Sequence, residues 1–140
     1  MLSERIRRLM ERDKMVTAPP QATVYEVAGL MLERGVGAVM IVEDGLLTGI
    51  FTERDAVFRV VAQGRDPRTV GVGDVMTRQP VTIDPDVTFG HAMLLMYERG
   101  FRHLPVVENG KPVGIVSARA ALDPELEEFV CEARRREAFR

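Results

Sequence analysis

The sequence has 140 residues and a mass of 15.7 kDa, and its 46% hydrophobic and 29% charged residues are typical of a globular protein. A formal net charge of −2 at pH 7 gives no electrostatic reason to expect nucleic-acid binding, and a single cysteine excludes an intramolecular disulfide. No apolar run reaches the roughly 18 residues that span a bilayer, and the charged start is unlike a secretory signal, so a cytoplasmic protein is expected.

The first half of the chain predicts two helices and two strands before a third helix. Residues 2–13 place apolar side chains at helical spacing, which predicts an N-terminal helix whose apolar face needs a partner. A Thr-x-x-Glu capping box at residue 23 then begins a helix that ends at Gly35. The apolar runs 38–42 and 46–51 predict two buried strands joined by a tight turn.

The stretch GIFTERD, residues 49–55, connects the second of these strands to the next helix. Thr52 is suited to be the N-cap of that helix, with Asp55 at the third helical position. Two interpretations stay open for this pair. The residues form an ordinary helix cap, or the cap also points a carboxylate, a hydroxyl and backbone N–H groups at the sugar and phosphates of a nucleotide.

The chain contains an internal duplication. Residues 16–57 align with residues 81–122 without a gap at a shift of 65 positions, and 16 of the 42 aligned positions are identical. Such identity indicates two copies of one β-α-β-β-α unit. Since one unit is too small to bury its own apolar faces, the two are expected to share a core.

The predicted fold is therefore of the α/β (α+β) class, with two repeats packed sheet to sheet about a pseudo-twofold axis and flanked by N- and C-terminal helices. The predicted organisation is an N-terminal helix at 1–14, a first repeat at 15–65, a linker at 66–74, a second repeat at 75–123 and a C-terminal helix at 124–140. The two terminal helices carry apolar faces that cap the pair or meet another subunit.

With these motifs in order, the sequence resembles a tandem pair of cystathionine-β-synthase (CBS) domains, also called a Bateman module, over residues 15–122. The resemblance rests on VMT at 75–77 followed by PVT at 80–82, on RHLPVV at 102–107 and on GIFTERD at 49–55. It implies a protein that binds AMP, ADP, ATP, S-adenosylmethionine or NAD(H), forms flat dimeric discs and senses energy or metabolite levels.

The resemblance also implies a composite site that uses both repeats. Its expected ligand residues are Gly49, Thr52, Arg54 and Asp55 for ribose and phosphate, Pro80, Val81 and Thr82 for the adenine slot, and Arg102 and His103 for the phosphates. The second cleft departs from the family pattern, with Ala120 where the aspartate is expected and Gly37 and Ala38 where the basic pair is expected. Its remaining residues are Val16, Thr17 and Ser117. One competent site per chain is therefore expected.

The simpler interpretations of these residues need no ligand: Arg102 is a solvated surface charge, and His103 is a partly buried histidine bonded to backbone. No nucleophile–base pair and no metal-ligand cluster stands out, so neither an enzyme nor a metal site is predicted. The leading hypothesis is a stand-alone regulatory protein, a homodimer that binds an adenine nucleotide (AMP, ADP, ATP or NAD(H)) and signals to an unknown effector protein by conformational or oligomeric change. The alternative is a dimerisation or interaction scaffold that works without ligand. No nucleic acid, membrane or catalytic cofactor is expected.

Overall fold

The computed structural model describes residues 2–118, 133 and 135–138. The elements of the first half are α1 (Ile6–Leu9), β1 (Thr17–Ala18), α2 (Val24–Arg34), β2 (Ala38–Glu43), β3 (Leu46–Thr52), α3 (Glu53–Asp55) and a π-helix (Ala56–Val61). Those of the second half are α4 (Val72–Val75), β4 (Thr77–Arg78), α5 (Phe89–Arg99), β5 (His103–Glu108) and β6 (Lys111–Ser117). The predicted mixed α and β class is confirmed.

The duplication is visible in the hydrogen-bond register. β2 pairs antiparallel with β3, and β5 pairs antiparallel with β6 at positions shifted by 65 residues. Each hairpin has an irregularity at the same place, between Ile41 and Val42 in the first and between Val106 and Val107 in the second. α2 and α5 also correspond, and each ends at a glycine in the left-handed conformation, Gly35 or Gly100.

The central strands are apolar on both faces because each face is buried against a different neighbour. In β2, Val39 and Ile41 join the core under the helices of the first repeat. The alternate residues Ala38 and Met40 join a separate cluster that contains Ile115 of the second repeat. Since successive strand side chains point to opposite faces, this cluster is where the sheets of the two repeats meet.

Each sheet is completed by the segment that precedes the other repeat. The first sheet has the strand order β1-β2-β3-β4, and β4 lies just before the second repeat. The second sheet consists of β5 and β6, and single bridges extend it on both sides, Ile83 to Val106 and Glu11 to Ile115. Glu11, from the start of the chain, therefore occupies in the second sheet the place that β4 occupies in the first.

The prediction of one helix over residues 2–13 is wrong. α1 is a single turn, and Met10 is already extended with φ −66° and ψ 144°. The backbone N–H of Ile6 donates to the Val87 carbonyl oxygen at 2.9 Å, and that of Glu11 donates to Ile115 at 2.9 Å. Bonding to the second repeat thus replaces the longer helix that the apolar spacing suggested.

Residues 66–74, predicted as a linker, pack on the first repeat as the N-terminal segment packs on the second. α4 begins within them at Val72, whose side chain is fully buried in the first core. An isolated bridge joins Gly71 to Thr23, matching the bridge of Arg5 to Thr88 in the other half. A shift of 66 residues superposes α1 on α4, so the duplicated unit begins earlier than the repeat in the sequence indicated.

The helix after Thr52 also differs from its prediction. It is regular only over α3 and continues as the π-helix. Its apolar spacing predicts one buried face with Val57, Val60 and Val61, but only Val60 is buried, whereas Val57 and Val61 are exposed. The predicted C-terminal helix at 124–140 falls outside the described residues except at 133 and 135–138. Within the described part, none of the helices combines the length and the apolar character needed to cross a bilayer.

Removal of the Ile6 side chain tests whether the N-terminal segment belongs to the second core. Ile6 is 0% exposed, so Ile6→Ala is expected to lower the free energy of unfolding by about 2–5 kcal/mol, the usual cost of truncating a buried aliphatic side chain. Urea unfolding followed by circular dichroism measures the change. Leu2→Ala, at a side chain that is 62% exposed, is the control and is expected to change it by less than about 0.5 kcal/mol. If Ile6→Ala and Leu2→Ala both changed the free energy of unfolding by the same small amount, the N-terminal segment would not belong to the second core.

Candidate functional site

The predicted helix cap at Thr52 is present. The backbone N–H of Asp55 donates to Thr52 Oγ1 at 3.3 Å, and the backbone N–H of Thr52 donates to Asp55 Oδ2 at 3.0 Å. The two bonds form a reciprocal capping box, which fixes where the helix starts and how the carboxylate is oriented. Thr23 and Glu26 form the same box at α2, so the motif alone does not indicate a ligand.

Asp55 nevertheless has partners that a surface cap lacks. It is 6% exposed and is the only polar residue buried in the described part of the chain. Thr77 Oγ1 donates to Asp55 Oδ1 at 3.2 Å, and the Arg59 guanidinium lies with Nε 3.4 Å from the same oxygen. Arg59 Nη1 also donates to the carbonyl oxygen of Met76 at 3.0 Å. The carboxylate therefore joins the first repeat to the segment that enters the second.

Gly49 holds that segment close to β3. A Cβ atom at position 49 would collide with the sulfur of Met76, so a larger residue there would require the Met76 side chain to move. Gly114 has the same relation to Met10, whose sulfur would lie 2.7 Å from an added Cβ. The first glycine of the motif thus has a packing role in both repeats. Its predicted ligand role stays a prediction.

Arg54, the fourth residue predicted for the ribose and phosphate side, points elsewhere. Its guanidinium carbon lies 5.1 Å from the centroid of the Phe58 ring, and both side chains are exposed. This is a cation–π contact along the helix surface. The structure does not bring Arg54 to the carboxylate of Asp55.

The predicted adenine slot follows directly after the segment that contacts Asp55. Thr77 pairs with Ile50 in β4, and Pro80 comes three residues later, within about 11 Å of Thr77 by the reach of an extended chain. Pro80 is half-buried and Val81 packs against the second core, whereas Thr82 is exposed. These residues therefore lie near Asp55, on the side of the second repeat.

His103 is the predicted phosphate residue that the structure brings to the first repeat. A Cβ atom at Gly37 would lie 3.4 Å from His103 Cε1 and 3.2 Å from Glu53 Oε1, so Glu53 and His103 meet at this glycine. The backbone N–H of Glu53 donates to the Gly37 carbonyl oxygen at 3.1 Å. His103 therefore lies beside the first residue of α3, two positions from Asp55. Arg102 is exposed.

The environment of His103 favours its neutral form. Burial lowers the pKa of His103 below its usual 6.5, the Glu53 carboxylate opposes this shift and the Arg102 charge adds to it. Glu53 was absent from the predicted site, and it introduces a negative charge next to the residue expected to bind phosphate.

The second cleft contains no counterpart of this acid–base contact. The positions that match Glu53 and His103 are Ala118 and Ala38. Val16 and Ala38 are buried in the cores, Thr17 is exposed on β1 and Ser117 ends β6. Ala120, whose identity was the main sign of a degenerate cleft, lies outside the described residues. The weaker second site stays a prediction.

Other sites are not apparent in the described residues. A shallow, open depression of about 700 Å³ lies between β1 and α2, where it is lined by Thr17, Pro19 and Glu26 among others, and it includes neither Asp55 nor His103. No group of three or more His, Cys, Asp or Glu side chains is placed to hold a metal ion within this part of the chain.

Sequence reasoning missed three residues of this region: Glu53, Arg59 and Thr77. Arg59 is four positions after Asp55, the spacing at which helical side chains of opposite charge meet, and this signal could have identified it. Thr77 belongs to the VMT motif, but only the strand pairing of β4 brings it to Asp55.

Comparisons with known proteins agree with this architecture. The family model described as CBS domain matches residues 6–62 and 72–124. An uncharacterised protein of Methanopyrus kandleri is 40% identical over 116 residues, which are 81% of this chain and 59% of the relative. The CBS domain-containing protein YhcV of Bacillus subtilis is 39% identical over 104 residues, 74% of each chain. The chain therefore spans less than two thirds of the first of these relatives.

A solved structure resembles the whole arrangement. The crystal structure of an uncharacterised conserved protein from Pyrococcus horikoshii matches with a TM-score of 0.82 and 28% identity, covering 89% of this chain and 94% of that one. The family matches start at residues 6 and 72, which agrees with the equivalence of α1 and α4.

The lowered pKa of His103 predicts a specific pH dependence of stability. Because the unfolded state binds the proton more tightly than the folded state, the free energy of unfolding should decrease as the pH falls through 6.5 toward the lower folded pKa. His103→Gln should reduce this slope between about pH 7 and pH 5.5. Urea unfolding across this range measures the difference, with His91→Gln, at an exposed helix position, as the control. A slope unchanged by His103→Gln would contradict the assignment.

Proposed function

The chain belongs to the CBS-domain family, and on this basis we propose that it is a regulatory module that binds an adenine nucleotide in the cleft between its two repeats. The ligand is AMP, ADP, ATP or NAD(H), and its ribose hydroxyls donate to the carboxylate of Asp55. The observation that carries the proposal is the position of Asp55: a buried carboxylate, held by a helix cap, at the place where the segment entering the second repeat crosses the first.

The chemistry of Asp55 suits a ribose. One carboxylate can accept hydrogen bonds from two neighbouring hydroxyl groups, and a charged acceptor strengthens each bond. The capping box holds the carboxylate in one orientation before any ligand arrives, so little side-chain entropy is lost on binding. Pro80 and Val81 follow Thr77 by three and four residues in the sequence, so the adenine base is proposed to lie on their side of Asp55.

The phosphates are proposed to extend toward His103 and Arg102. His103 adjoins the first residue of α3, and Arg102, which is exposed, is its neighbour in the sequence. Glu53 opposes a highly charged phosphate chain at this point, which favours ligands with few phosphate charges near the cap, such as AMP or a dinucleotide. A bound phosphate would raise the pKa of His103 and so couple binding to proton uptake.

Binding would regulate by shifting a conformational or oligomeric equilibrium, to the extent that the ligand prefers one arrangement. The proposed oligomer is a homodimer. Leu32 of α2 and Tyr97 of α5, which correspond in the two repeats, are 86% and 87% exposed. Val57, Phe58 and Val61 of the π-helix are exposed as well. Exposed large apolar side chains on three helices favour a helical interface with a second copy.

One observation favours the alternative, an interaction scaffold that needs no ligand. Four donors of the chain already surround the Asp55 carboxylate and satisfy it, which gives its burial a purely structural explanation. Mass spectrometry of small molecules released from protein purified without added ligand distinguishes the two functions. An adenosine-containing compound in near-stoichiometric amount supports the sensor, and a stable dimer that releases none supports the scaffold.

Substitution of Asp55 tests the binding site. Asp55→Asn keeps the side-chain shape but removes the charge, and each charge-assisted bond lost is worth about 1.5–3 kcal/mol, so Kd for AMP should rise at least about tenfold. Isothermal titration calorimetry with AMP, ATP and NADH measures this. Asp44→Asn in an exposed turn, where asparagine tolerates the positive φ of 53°, is the matched control. Wild-type affinity retained in Asp55→Asn and in Asp55→Ala would exclude the assigned site.

The homodimer is tested by a charge on the exposed helical surface. Val61 is 72% exposed in one chain, and Val61→Glu would bury an uncompensated charge in a dimer, which costs several kcal/mol. Sedimentation equilibrium should give twice the mass of one chain for the wild type and a dimer dissociation constant raised by about 100-fold or more for the variant. Leu46→Glu, at a 46% exposed side chain of β3 and not on these helices, should leave the dimer intact. A monomeric wild type would contradict the proposed assembly.

A further inference from the structure

We propose that Arg59 is an internal competitor for the ribose-binding oxygens of Asp55 and thereby sets the affinity of the site. This inference rests on the proposed function and goes beyond it. Arg59 is not among the ligand residues expected from the sequence. Its role follows from the number of donors that surround one buried carboxylate.

The donors around Asp55 already use its acceptor capacity. A carboxylate has about four lone-pair positions on two oxygens. In the structure, the backbone N–H and the hydroxyl of Thr52 lie 3.0 and 3.2 Å from Oδ2. The Thr77 hydroxyl is shared between the oxygens at 3.2 and 3.4 Å, and Arg59 Nε is 3.4 Å from Oδ1. Two ribose hydroxyls therefore bond to this carboxylate only if some of these donors leave.

The four donors differ in how readily they leave. The bond from the Thr52 backbone N–H is half of the helix cap, and losing it would destabilise the start of the helix. The hydroxyls of Thr52 and Thr77 can each turn about their own bond and accept from a ligand hydroxyl, while the backbone of β4 stays paired. Arg59 is the side-chain donor that cannot do so, since the guanidinium nitrogens have no acceptor to offer to a ribose, and it frees its acceptor position only by moving away.

Arg59 is also built to move. Its side chain is 48% exposed, whereas that of Asp55 is 8% exposed, so the guanidinium enters the site from the solvent side. It is held by the contact with Asp55 and by the bond from Nη1 to the Met76 carbonyl oxygen. It lies in a π-helix, a rare conformation that frequently occurs at functional sites. Displacement of Arg59 exchanges one ion pair, which is exposed on the arginine side only, for bonds to a ligand.

A competitor and a ligand anchor make opposite predictions for the same substitution. If Arg59 competes, its removal frees Asp55 and tightens binding of any ligand that carries the ribose diol, including adenosine, which has no phosphate. If Arg59 instead binds phosphate directly, its removal weakens AMP and leaves adenosine unchanged. Adenosine is therefore the probe that separates the two roles, and AMP is the second probe.

The test is isothermal titration calorimetry of the full chain with adenosine and AMP. Arg59→Met should lower Kd for adenosine by about three- to tenfold, the range expected when a half-exposed ion pair and the hydrogen bond from the guanidinium to the Met76 carbonyl oxygen no longer compete. Arg65→Met is the matched control, since it makes the same change at an exposed arginine six positions later, and it should leave Kd within about twofold. In an Asp55→Asn background, Arg59→Met should give no gain.

Each other outcome has one interpretation. Unchanged or weaker adenosine binding in Arg59→Met, with Asp55→Asn still impairing the wild type, overturns the competitor and leaves the proposed function in place. Selective loss of AMP affinity also overturns it, in favour of an anchor. A wild type that binds neither probe overturns the competitor, and one that also binds neither ATP nor NADH refutes the proposed function. If Arg59→Met does not fold, Arg59→Lys serves instead, because lysine cannot span Asp55 and Met76 with two directed bonds. It should change Kd in the same direction by a smaller factor.

Discussion

The exchange of segments between the two repeats is the constraint on which the rest of the structure depends. Neither repeat completes its own sheet. The first receives β4 from the chain that leads into the second, and the second receives Glu11 from the start of the chain. A methionine beside each exchanged segment lies against a glycine of the receiving strand, Met76 on Gly49 and Met10 on Gly114. These glycines leave room for the two methionine side chains, which a Cβ atom at either position would displace.

The candidate site is a product of this exchange. β4 brings Thr77 to the carboxylate of Asp55, and the carbonyl group of Met76 to Arg59. Without the crossing segment, Asp55 would be the third residue of an ordinary capped helix, like Glu26 in α2. The crossing segment supplies Thr77 as one of its hydrogen-bond donors and continues directly into the residues predicted for the adenine side. One length of backbone thus closes a sheet and forms one side of the candidate site.

The sequence was sufficient for the features that depend on local chemistry or on the repeat. The capping boxes at Thr23 and Thr52, the paired hairpins and the sheet-to-sheet arrangement follow from periodicity and from the shift of 65 residues. The course of the exchanged segments could not be predicted from the sequence. The apolar spacing of residues 2–13 is that of a helix, and it does not reveal that the chain leaves the helix and bonds to the edge of a sheet. Tertiary hydrogen bonds decided that outcome. Glu53 and Thr77 were missed because their relevance arises from contacts between the two repeats, whereas Arg59 was missed although its spacing from Asp55 is visible in the sequence.

The interlocking of the two halves also gives a route by which the chain could have arisen. A single repeat, with its leading segment, would reach the same arrangement as a symmetric pair of separate chains that swap their N-terminal arms. Joining two copies into one polypeptide turns that swap into an intramolecular contact. The two copies are then able to differ in sequence. Glu53 and His103 meet in one half of this chain, where the other half has two alanines. An acidic and a basic side chain can lie together on one side only in a fused chain. In a symmetric pair of identical chains, the same pair would occur on both sides.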